Sequence, residues 1–216
     1  MSRSNSFLKL IKQKKLRLLS FFCFCIILLL TVPTIVYFKY FSNSGREVIS
    51  PSEVRNIIPY LRNGDIVMRS GIGLWSELFR GYNERDKRFS HVGIVMERRG
   101  KFFVLHAEAD DITIRGDVHL IPVEEFIGAS SGVGVSRLHT LDSNFFAEKA
   151  LEFLGRKFDW KFNRRESVRL YCTELVDIAL RSVPGGEKGL IVGKNDIIPV
   201  DSCLDPCYFA EVPLPE

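Results

Sequence analysis

The feature that most constrains this chain is an uncharged apolar run of 21 residues, positions 18–38, close to the N-terminus. About 20 consecutive apolar residues in a helix span the hydrocarbon core of a bilayer. A helix buried in a soluble core would instead show a polar stripe, and this run has none. We therefore predict a transmembrane anchor over residues 18–41, with Pro33 positioned to kink the helix.

A cleaved signal peptide is the main alternative for this segment. The apolar region of a signal peptide is normally about 7–15 residues and ends at a site of small residues. The run here is longer, and residues 42–45 match such a site poorly. These differences favour an uncleaved anchor, in which Cys23 and Cys25 are packing residues of the span.

Charge is distributed unevenly along the chain and predicts its orientation. Residues 1–17 carry six basic and no acidic side chains, whereas residues 40–216 carry 23 basic and 26 acidic ones. The positive-inside rule then places the N-terminus in the cytoplasm and exports the remainder, which in a bacterium means the periplasm beyond the inner membrane. The exported part has no basic footprint for DNA or RNA, which argues against nucleic-acid binding.

The chain is expected to divide into a basic tail (residues 1–17), the anchor (18–41), a tether (42–57) and one domain (58–216). Alternating apolar patterns predict strands at residues 64–69, 90–96, 101–108, 112–115 and 132–138. Helical spacing predicts helices at residues 142–154, with Asp142 as N-cap, and at 172–182. Strands that cluster apart from the helices indicate an α+β domain with an antiparallel sheet.

The cysteines of the exported part suggest one bridge and one free thiol. Cys203 and Cys207 flank a proline-containing turn and are close enough in sequence for a local disulfide in an oxidising compartment. That pairing leaves Cys172 unpaired at the predicted start of a helix, where backbone N–H groups stabilise a thiolate. A single cysteine on a helix is also commonly a small core residue.

Two histidines supply a candidate base for this thiol. His91 and His106 lie on neighbouring predicted strands joined by a tight turn, so their imidazoles can lie side by side. A nucleophilic cysteine needs a base and a further polar group that orients the base. A structural role for both histidines remains open, as does a zinc site of His91, His106 and Glu108, although the spacing fits no specific metal signature.

Six sequence blocks in a fixed order resemble the permuted papain-fold (NlpC-like) cysteine hydrolases of the YiiX/YebB type. The resemblance covers about residues 58–211. The blocks lie at residues 61–68, 89–95, 104–107, 155–162, 171–176 and 195–199.

The resemblance implies a circularly permuted papain-like (NlpC-like) domain that works without a metal or cofactor. Carried over by motif, Cys172 is the nucleophile, His91 the general base and His106 the third residue. Many relatives have glutamate at that third position, so Glu108 is an alternative. The backbone N–H of Cys172, with Tyr171 beside it, would form the oxyanion site.

The predicted function is a membrane-anchored cysteine hydrolase that cleaves an amide or ester through a thioester on Cys172. Its expected partners are the bilayer, through residues 18–41, and a peptide or acyl-lipid substrate, with cell-wall peptide as one candidate. The alternatives are an acyl-lipid hydrolase or acyltransferase, a catalytically silent papain-like module that binds peptide or lipid, and a membrane structural protein. Asp65, Asp159 and Glu174 also match recurrent family positions, where we interpret them as structural hydrogen-bonding residues.

Overall fold

The structure is a computed structural model that describes residues 2–40, 47–110, 115–164 and 168–215. The chain divides into two compact units, Met1–Ser44 and Gly45–Glu216.

The described residues of the first unit form one helix, α1 (Ser2–Tyr40). Its segment Arg17–Ile35 has a mean hydropathy of 2.6, and none of it is buried. The predicted N-terminal apolar helix is therefore confirmed. Length and composition alone are also compatible with a signal sequence.

The second unit is built on one eight-stranded sheet in the order β7-β6-β4-β3-β2-β1-β5-β8. Every neighbouring pair is antiparallel except β6 and β7, which are parallel. The predicted α+β class is confirmed, and the sheet is antiparallel apart from that one pair. The strands are β1 (Ile66–Arg69), β2 (His91–Arg98), β3 (Lys101–Ala109), β4 (Gly116–Pro122), β5 (Val133–Leu138), β6 (Lys157–Phe158), β7 (Arg169–Leu170) and β8 (Phe209–Glu211).

Within the part of the second unit that the structure describes, five α-helices accompany this sheet. They are α2 (Pro51–Ile57), α3 (Leu74–Tyr82), α4 (Val123–Gly128), α5 (Ser143–Leu151) and α6 (Cys172–Arg181). Helices α5 and α6 pack on one face of the sheet, and α2 and α4 pack on the other. Short 3-10 turns lie at Ile58–Tyr60, Lys194–Asp196 and Val200–Leu204.

Strand β2 shows how side-chain alternation divides the core. Val92, Ile94 and Met96 enter the cluster formed with α5 and α6, whereas Val95 enters the cluster formed with α2 and α4. Because successive strand residues point to opposite faces, both faces of this central strand are buried. The strand is consequently hydrophobic almost throughout, and it begins at the candidate residue His91.

The helix N-cap and the tight hairpin turn predicted from the sequence are both present in the structure. The Asp142 carboxylate accepts hydrogen bonds from the N–H groups of Asn144 and Phe145 and begins α5. Between β2 and β3, Arg99 and Gly100 have φ values of 53° and 73°. Two successive positive φ angles are typical of the two-residue turn that joins a tight hairpin.

The segment expected to be a tether is partly structured. Residues 42–46 lie outside the described residues, but residues 51–57 form α2, whose Val54 and Ile57 enter the core. A reciprocal capping box between Ser50 and Glu53 begins this helix. The strand expected at residues 112–115 also falls largely outside the described residues, and the strand that follows them, β4, begins at Gly116.

Candidate active site

A cavity of about 260 Å3 lies where the N-terminus of α6 meets the start of β2. Its lining includes Cys172, Tyr171, His91 and Glu108. Four of the residues singled out in the sequence are therefore brought to one place, although Cys172 and His91 lie far apart in the chain. His106 is fully buried and contacts His91 directly.

Cys172 is the first residue of α6, and its side chain is almost fully buried. Burial raises the pKa of the Cys172 thiol to about 11, and the nearby Glu108 carboxylate acts in the same direction. Hydrogen bonds from the backbone N–H groups of Val92, Thr173 and Cys172 itself lower the pKa of the thiol in part. The Cys172 thiol is thus neutral at neutral pH and lies among backbone donors.

His91 and His106 form a hydrogen-bonded pair, with 2.9 Å between His91 Nε2 and His106 Nδ1. The two strands place both side chains on the same sheet face, as the hairpin predicts. Gly93 is essential to this packing. A Cβ at that position would lie 2.3 Å from Val104 Cγ1 and 3.1 Å from His106 Cβ.

Both imidazoles are neutral at neutral pH. Burial, followed by the positive charge of Arg69, holds the pKa of His91 well below its usual value. Burial and the neighbouring His119 lower the pKa of His106 to about 3. A neutral His91 is able to accept a proton, which is the property that a general base requires.

The tautomer of this pair decides which nitrogen of His91 is free. If His91 Nε2–H donates to His106 Nδ1, the other nitrogen of His91, Nδ1, is left free to accept a proton. His106 then carries its own proton on Nε2, which is buried and has no hydrogen-bond partner among the described residues. This tautomer is the one that a base acting on Cys172 needs, and the other tautomer would leave His91 Nδ1 protonated.

Glu108 lies beside the pair and is held by Arg69. An Arg69 Nη2 group donates to Glu108 Oε1. The Glu108 carboxylate lies 4.0 Å from His91 Nε2 and 3.7 Å from His106 Nδ1. These distances exceed that of a direct hydrogen bond, so His106, rather than Glu108, contacts His91 in this arrangement.

His91, His106 and Glu108 also lie close enough together to be considered as a metal site. One ligand atom from each of His91, His106 and Glu108 lies within 4.8 Å of the others. Two nitrogen ligands of one tetrahedral zinc ion would stand about 3.3 Å apart, given Zn–N bonds of about 2.0–2.1 Å. The 2.9 Å separation and the Arg69–Glu108 ion pair describe a hydrogen-bonded network instead, which does not fit a bound cation without rearrangement.

Tyr171 lines the cavity but directs its hydroxyl elsewhere. The Tyr171 hydroxyl accepts a hydrogen bond from the Ile198 N–H at 3.1 Å, and burial raises the pKa of this phenol. The backbone N–H of Cys172, one of the groups that donate to the thiol, is better placed to stabilise an oxyanion.

Three acidic residues within the blocks that resemble the family lie outside the described cavity lining, where they make hydrogen bonds or are buried in the fold. Asp65 pairs with Arg137 at 2.8 Å. Asp159 accepts from the N–H groups of Lys161 and Asn163. Glu174 is buried, and burial raises the pKa of its carboxyl to about 7.

The disulfide expected between Cys203 and Cys207 is absent from the structure, in which both are free thiols. Cys203 lies in the 3-10 turn Val200–Leu204 and packs into the core beside α6. Cys207 is exposed to solvent. The turn between the two residues therefore directs one side chain inward and the other outward.

Sequence reasoning missed several residues that surround the candidate site. Arg69, at the end of β1, is paired in register with His91 and stacks over the Phe126 ring at 4.6 Å. The His119 ring lies 4.5 Å from that of His106. Arg69 could have been noticed in the sequence, because it is a charged residue at the end of a buried strand. The contacts of Phe126 and His119 depend on tertiary packing.

Comparisons with known proteins identify a family and a similar fold. The model of the family described as "Permuted papain-like amidase enzyme, YaeF/YiiX, C92 family" matches residues 60–187. A solved structure titled as the metalloprotein yiiX from Escherichia coli O157:H7 is similar, with a TM-score of 0.55 at 19% identity. That similarity covers 71% of this chain and 97% of the other. No curated protein sequence matches.

Proposed function

Because the chain belongs to the family of permuted papain-like amidases of the YaeF/YiiX type, we propose that it is a cysteine hydrolase anchored in a membrane. One observation carries the proposal: Cys172, at the start of α6, shares a cavity with His91, which is hydrogen-bonded to His106. A nucleophile, a base and a group that orients the base are the elements of covalent acyl transfer.

The first half of the reaction forms an acyl-enzyme. His91 Nδ1 accepts the Cys172 thiol proton while the sulfur attacks the substrate carbonyl carbon. The N–H of Cys172 stabilises the oxyanion of the resulting tetrahedral intermediate. The intermediate collapses as the C–N or C–O bond breaks, and the leaving amine or alcohol takes the proton from His91.

The second half releases the acid. His91 accepts a proton from a water molecule, and the resulting hydroxide attacks the thioester carbonyl. The C–S bond then breaks, the carboxylic acid departs, and the proton held by His91 returns to the sulfur. The neutral resting states of the thiol and the imidazole mean that each attack is accompanied by a proton transfer.

The acyl-enzyme is the direct test of this proposal. The full chain treated with an activated short-chain acyl ester should gain the mass of the acyl group on Cys172, and hydroxylamine should remove it, as expected of a thioester. Metal chelators should not change the yield, because no proposed step uses a metal. The Cys207→Ser variant, which lacks the exposed thiol of the second unit, should acylate as the wild type does. Acylation at Cys207 alone, or only after a divalent metal is added, would contradict the proposal.

A silent binding module is the second candidate. It would use the same cavity and would keep Cys172 as an ordinary buried thiol. The hydrogen bond between His91 and His106 favours the enzyme, because a module that only binds has no need to orient an imidazole beside a thiol.

We propose that His106 positions His91 and that Glu108 is its partial substitute. His106→Ala should lower kcat/KM by about tenfold to 100-fold, the usual effect of one lost buried hydrogen bond. Because Glu108 lies 4.0 Å from His91 Nε2, a small shift lets it supply the missing acceptor. The double change His106→Ala with Glu108→Ala should therefore be far more damaging than either single change.

The conservative replacement His106→Gln distinguishes a role of His106 in orienting His91 from a role in core packing. His106→Gln keeps an acceptor and should restore much of the activity that His106→Ala loses, at similar unfolding midpoints. Equal activities for the glutamine and alanine variants would show that His106 does not orient the base.

The proposed topology places the N-terminus in the cytoplasm and the hydrolase domain outside the inner membrane. The support is the six basic residues of positions 1–17 and the apolar segment Arg17–Ile35. A periplasm-dependent alkaline phosphatase fused after residue 60 should be active, and one fused after residue 16 should be inactive. The reverse pattern would overturn the assigned orientation, and a cleaved N-terminus in the purified protein would replace the anchor by a signal peptide.

A further inference from the structure

A third imidazole, that of His119, lies beside the pair of His91 and His106, and the mechanism above does not use it. Strand β4 pairs His119 with His106 in register, so both side chains stand on the same face of the sheet. Their ring centroids are 4.5 Å apart. The His106 side chain is fully buried, whereas that of His119 is 39% exposed and lies outside the described cavity lining. The three rings therefore lead from the cavity to solvent.

The hydrogen bonds of these rings run in one direction. His119 Nδ1 lies 3.0 Å from the Asp117 carbonyl oxygen, which can only accept, so Nδ1 carries a hydrogen and Nε2 is left as an acceptor. In the tautomer that a base acting on Cys172 needs, His106 carries its own hydrogen on Nε2. This nitrogen is buried and has no hydrogen-bond partner among the described residues. The acceptor nitrogen of the adjacent ring, His119 Nε2, is the complement that this buried donor lacks.

A small change closes the link between His106 and His119. Their rings are already adjacent and are tilted by 58° to one another. A turn of the half-exposed His119 ring, or one water molecule held between the two Nε2 atoms, completes the hydrogen bond. Phe126 of α4 covers the other side of His106, with 5.3 Å between the ring centroids, so the open direction is the one towards His119.

His91 is a poor place for the positive charge that the reaction creates. When His91 Nδ1 accepts the thiol proton, the ring becomes a buried cation near the Arg69 guanidinium. Burial and then Arg69 are the two largest causes that hold the pKa of His91 well below its usual value. The Glu108 carboxylate lies 4.0 Å from His91 Nε2 and is already paired with Arg69. A buried cation without a counter-ion in contact is strongly disfavoured.

The surroundings of His119 suit a positive charge better. His119 Nδ1 lies 3.4 Å from a carboxylate oxygen of Asp117, which attracts a cation, and solvent reaches the ring. The other carboxylate oxygen of Asp117 lies 3.3 Å from the Lys157 ammonium. The Lys157 side chain is 67% exposed, so water screens its repulsion of a charged His119.

We propose that His119 is a positioning residue that receives, through His106, the positive charge gained by His91 when the thiol is deprotonated. His91 Nδ1 accepts the thiol proton, the Nε2 proton of His91 passes to His106 Nδ1, and the Nε2 proton of His106 passes to His119 Nε2. His91 and His106 each gain one proton and lose one, and His119 becomes the imidazolium.

The transfer is compatible with the later steps of the reaction. His91 keeps a proton on Nδ1, which it still donates to the leaving group, and the other two protons then return along the same path. The inference rests on the proposed function and adds one residue to the same site. It also gives the buried Nε2–H of His106 a role that orientation of His91 alone does not require.

The variant His119→Phe tests this transfer in the full chain in lipid nanodiscs, because it keeps an aromatic ring and removes both nitrogens. The rate at which an activated short-chain ester acylates Cys172, followed by mass spectrometry, should fall about tenfold to 100-fold, the effect of a lost hydrogen bond to a charged group. The ester concentration that gives half the maximal rate should not change, because His119 lies outside the described cavity lining.

Two further variants separate charge transfer from packing. His119→Gln keeps a hydrogen-bond acceptor but does not become a cation, so it should be as slow as His119→Phe. His119→Ala leaves space at a half-exposed site, and added imidazole should restore most of its lost rate without accelerating His119→Phe. The matched control is His139→Phe, which removes an exposed imidazole that contacts the Pro206 carbonyl and should acylate as the wild type does.

Each outcome decides the inference. A slow His119→Gln variant with an unchanged urea unfolding midpoint supports it, as does rescue of His119→Ala by imidazole. A wild-type rate in His119→Gln would show that His119 only orients His106, and a wild-type rate in His119→Phe would remove His119 from the reaction; both results overturn the transfer and leave the hydrolase standing. Losses that follow stability and resist imidazole would make His119 structural. No acylation of Cys172 in the wild type would refute the hydrolase and the transfer together.

Discussion

Replacing Cys172 by alanine should abolish turnover, lowering kcat by about five to six orders of magnitude, as removal of the nucleophile does in hydrolases that act through a catalytic triad. Among the described residues that line the cavity, Cys172 supplies the one sulfur that can form the proposed thioester, and neither His91 nor Glu108 replaces it without a different mechanism. The protein should remain folded, because the change removes one atom from a buried site and costs about 1 kcal/mol of unfolding free energy.

Cys203 provides the matched control for this variant. It is also a fully buried thiol in the same core cluster, but it does not line the cavity. Cys203→Ala should lose a similar amount of stability in urea unfolding and keep its turnover. If both variants lost activity in parallel with stability, the effect of Cys172 would be structural. Full activity of Cys172→Ala would end the cysteine mechanism.

Replacing His91 by alanine should be nearly as damaging, and its pH dependence should identify the reason. At neutral pH the wild-type imidazole is a free base, because burial and Arg69 hold the pKa of His91 well below its usual value. The wild-type rate should therefore be nearly flat around pH 7 and fall only as the pH drops through that low pKa. Without the imidazole, only the fraction already ionised to thiolate can react.

The fraction of Cys172 present as thiolate determines how the rate of His91→Ala depends on pH. With the pKa of Cys172 near 11, about one thiol in 10^4 is ionised at pH 7. The residual rate of His91→Ala should accordingly rise about tenfold per pH unit between pH 7 and 10, while the wild type does not. His139→Ala serves as the control, because His139 lies outside the cavity and contacts the Pro206 carbonyl. A variant whose profile parallels that of the wild type would remove His91 from the mechanism.

Much of this site could be predicted from local sequence because the signals themselves are local. A tight turn at Arg99 and Gly100 fixes the register of β2 and β3, so the proximity of His91 and His106 follows from hairpin geometry. The helical spacing of residues 172–182 predicts α6, which begins at Cys172. The apolar run near the N-terminus needs only its length and its lack of charge.

Other parts of the molecule could not be predicted from local pattern. Helix α3 has apolar residues at helical spacing, Trp75, Leu78, Phe79 and Tyr82. Half-exposed Trp75 nevertheless looks like ordinary surface in the sequence, because only the folded chain brings Trp160 and Phe162 to the same cavity. The short spacing of Cys203 and Cys207 suggested a bridge, but only the packing of Cys203 beneath α6 determines which way each thiol points.

The sequence by itself determined the apolar helix, the histidine hairpin and the thiol at a helix start, since each depends on residues within about one element of one another. Only the tertiary structure decided that Cys172 and His91 share a cavity, that Arg69 holds Glu108 and that His119 lies beside His106. These contacts join strands and loops distant in the chain, and their geometry is set by packing of the whole core, which no local periodicity encodes.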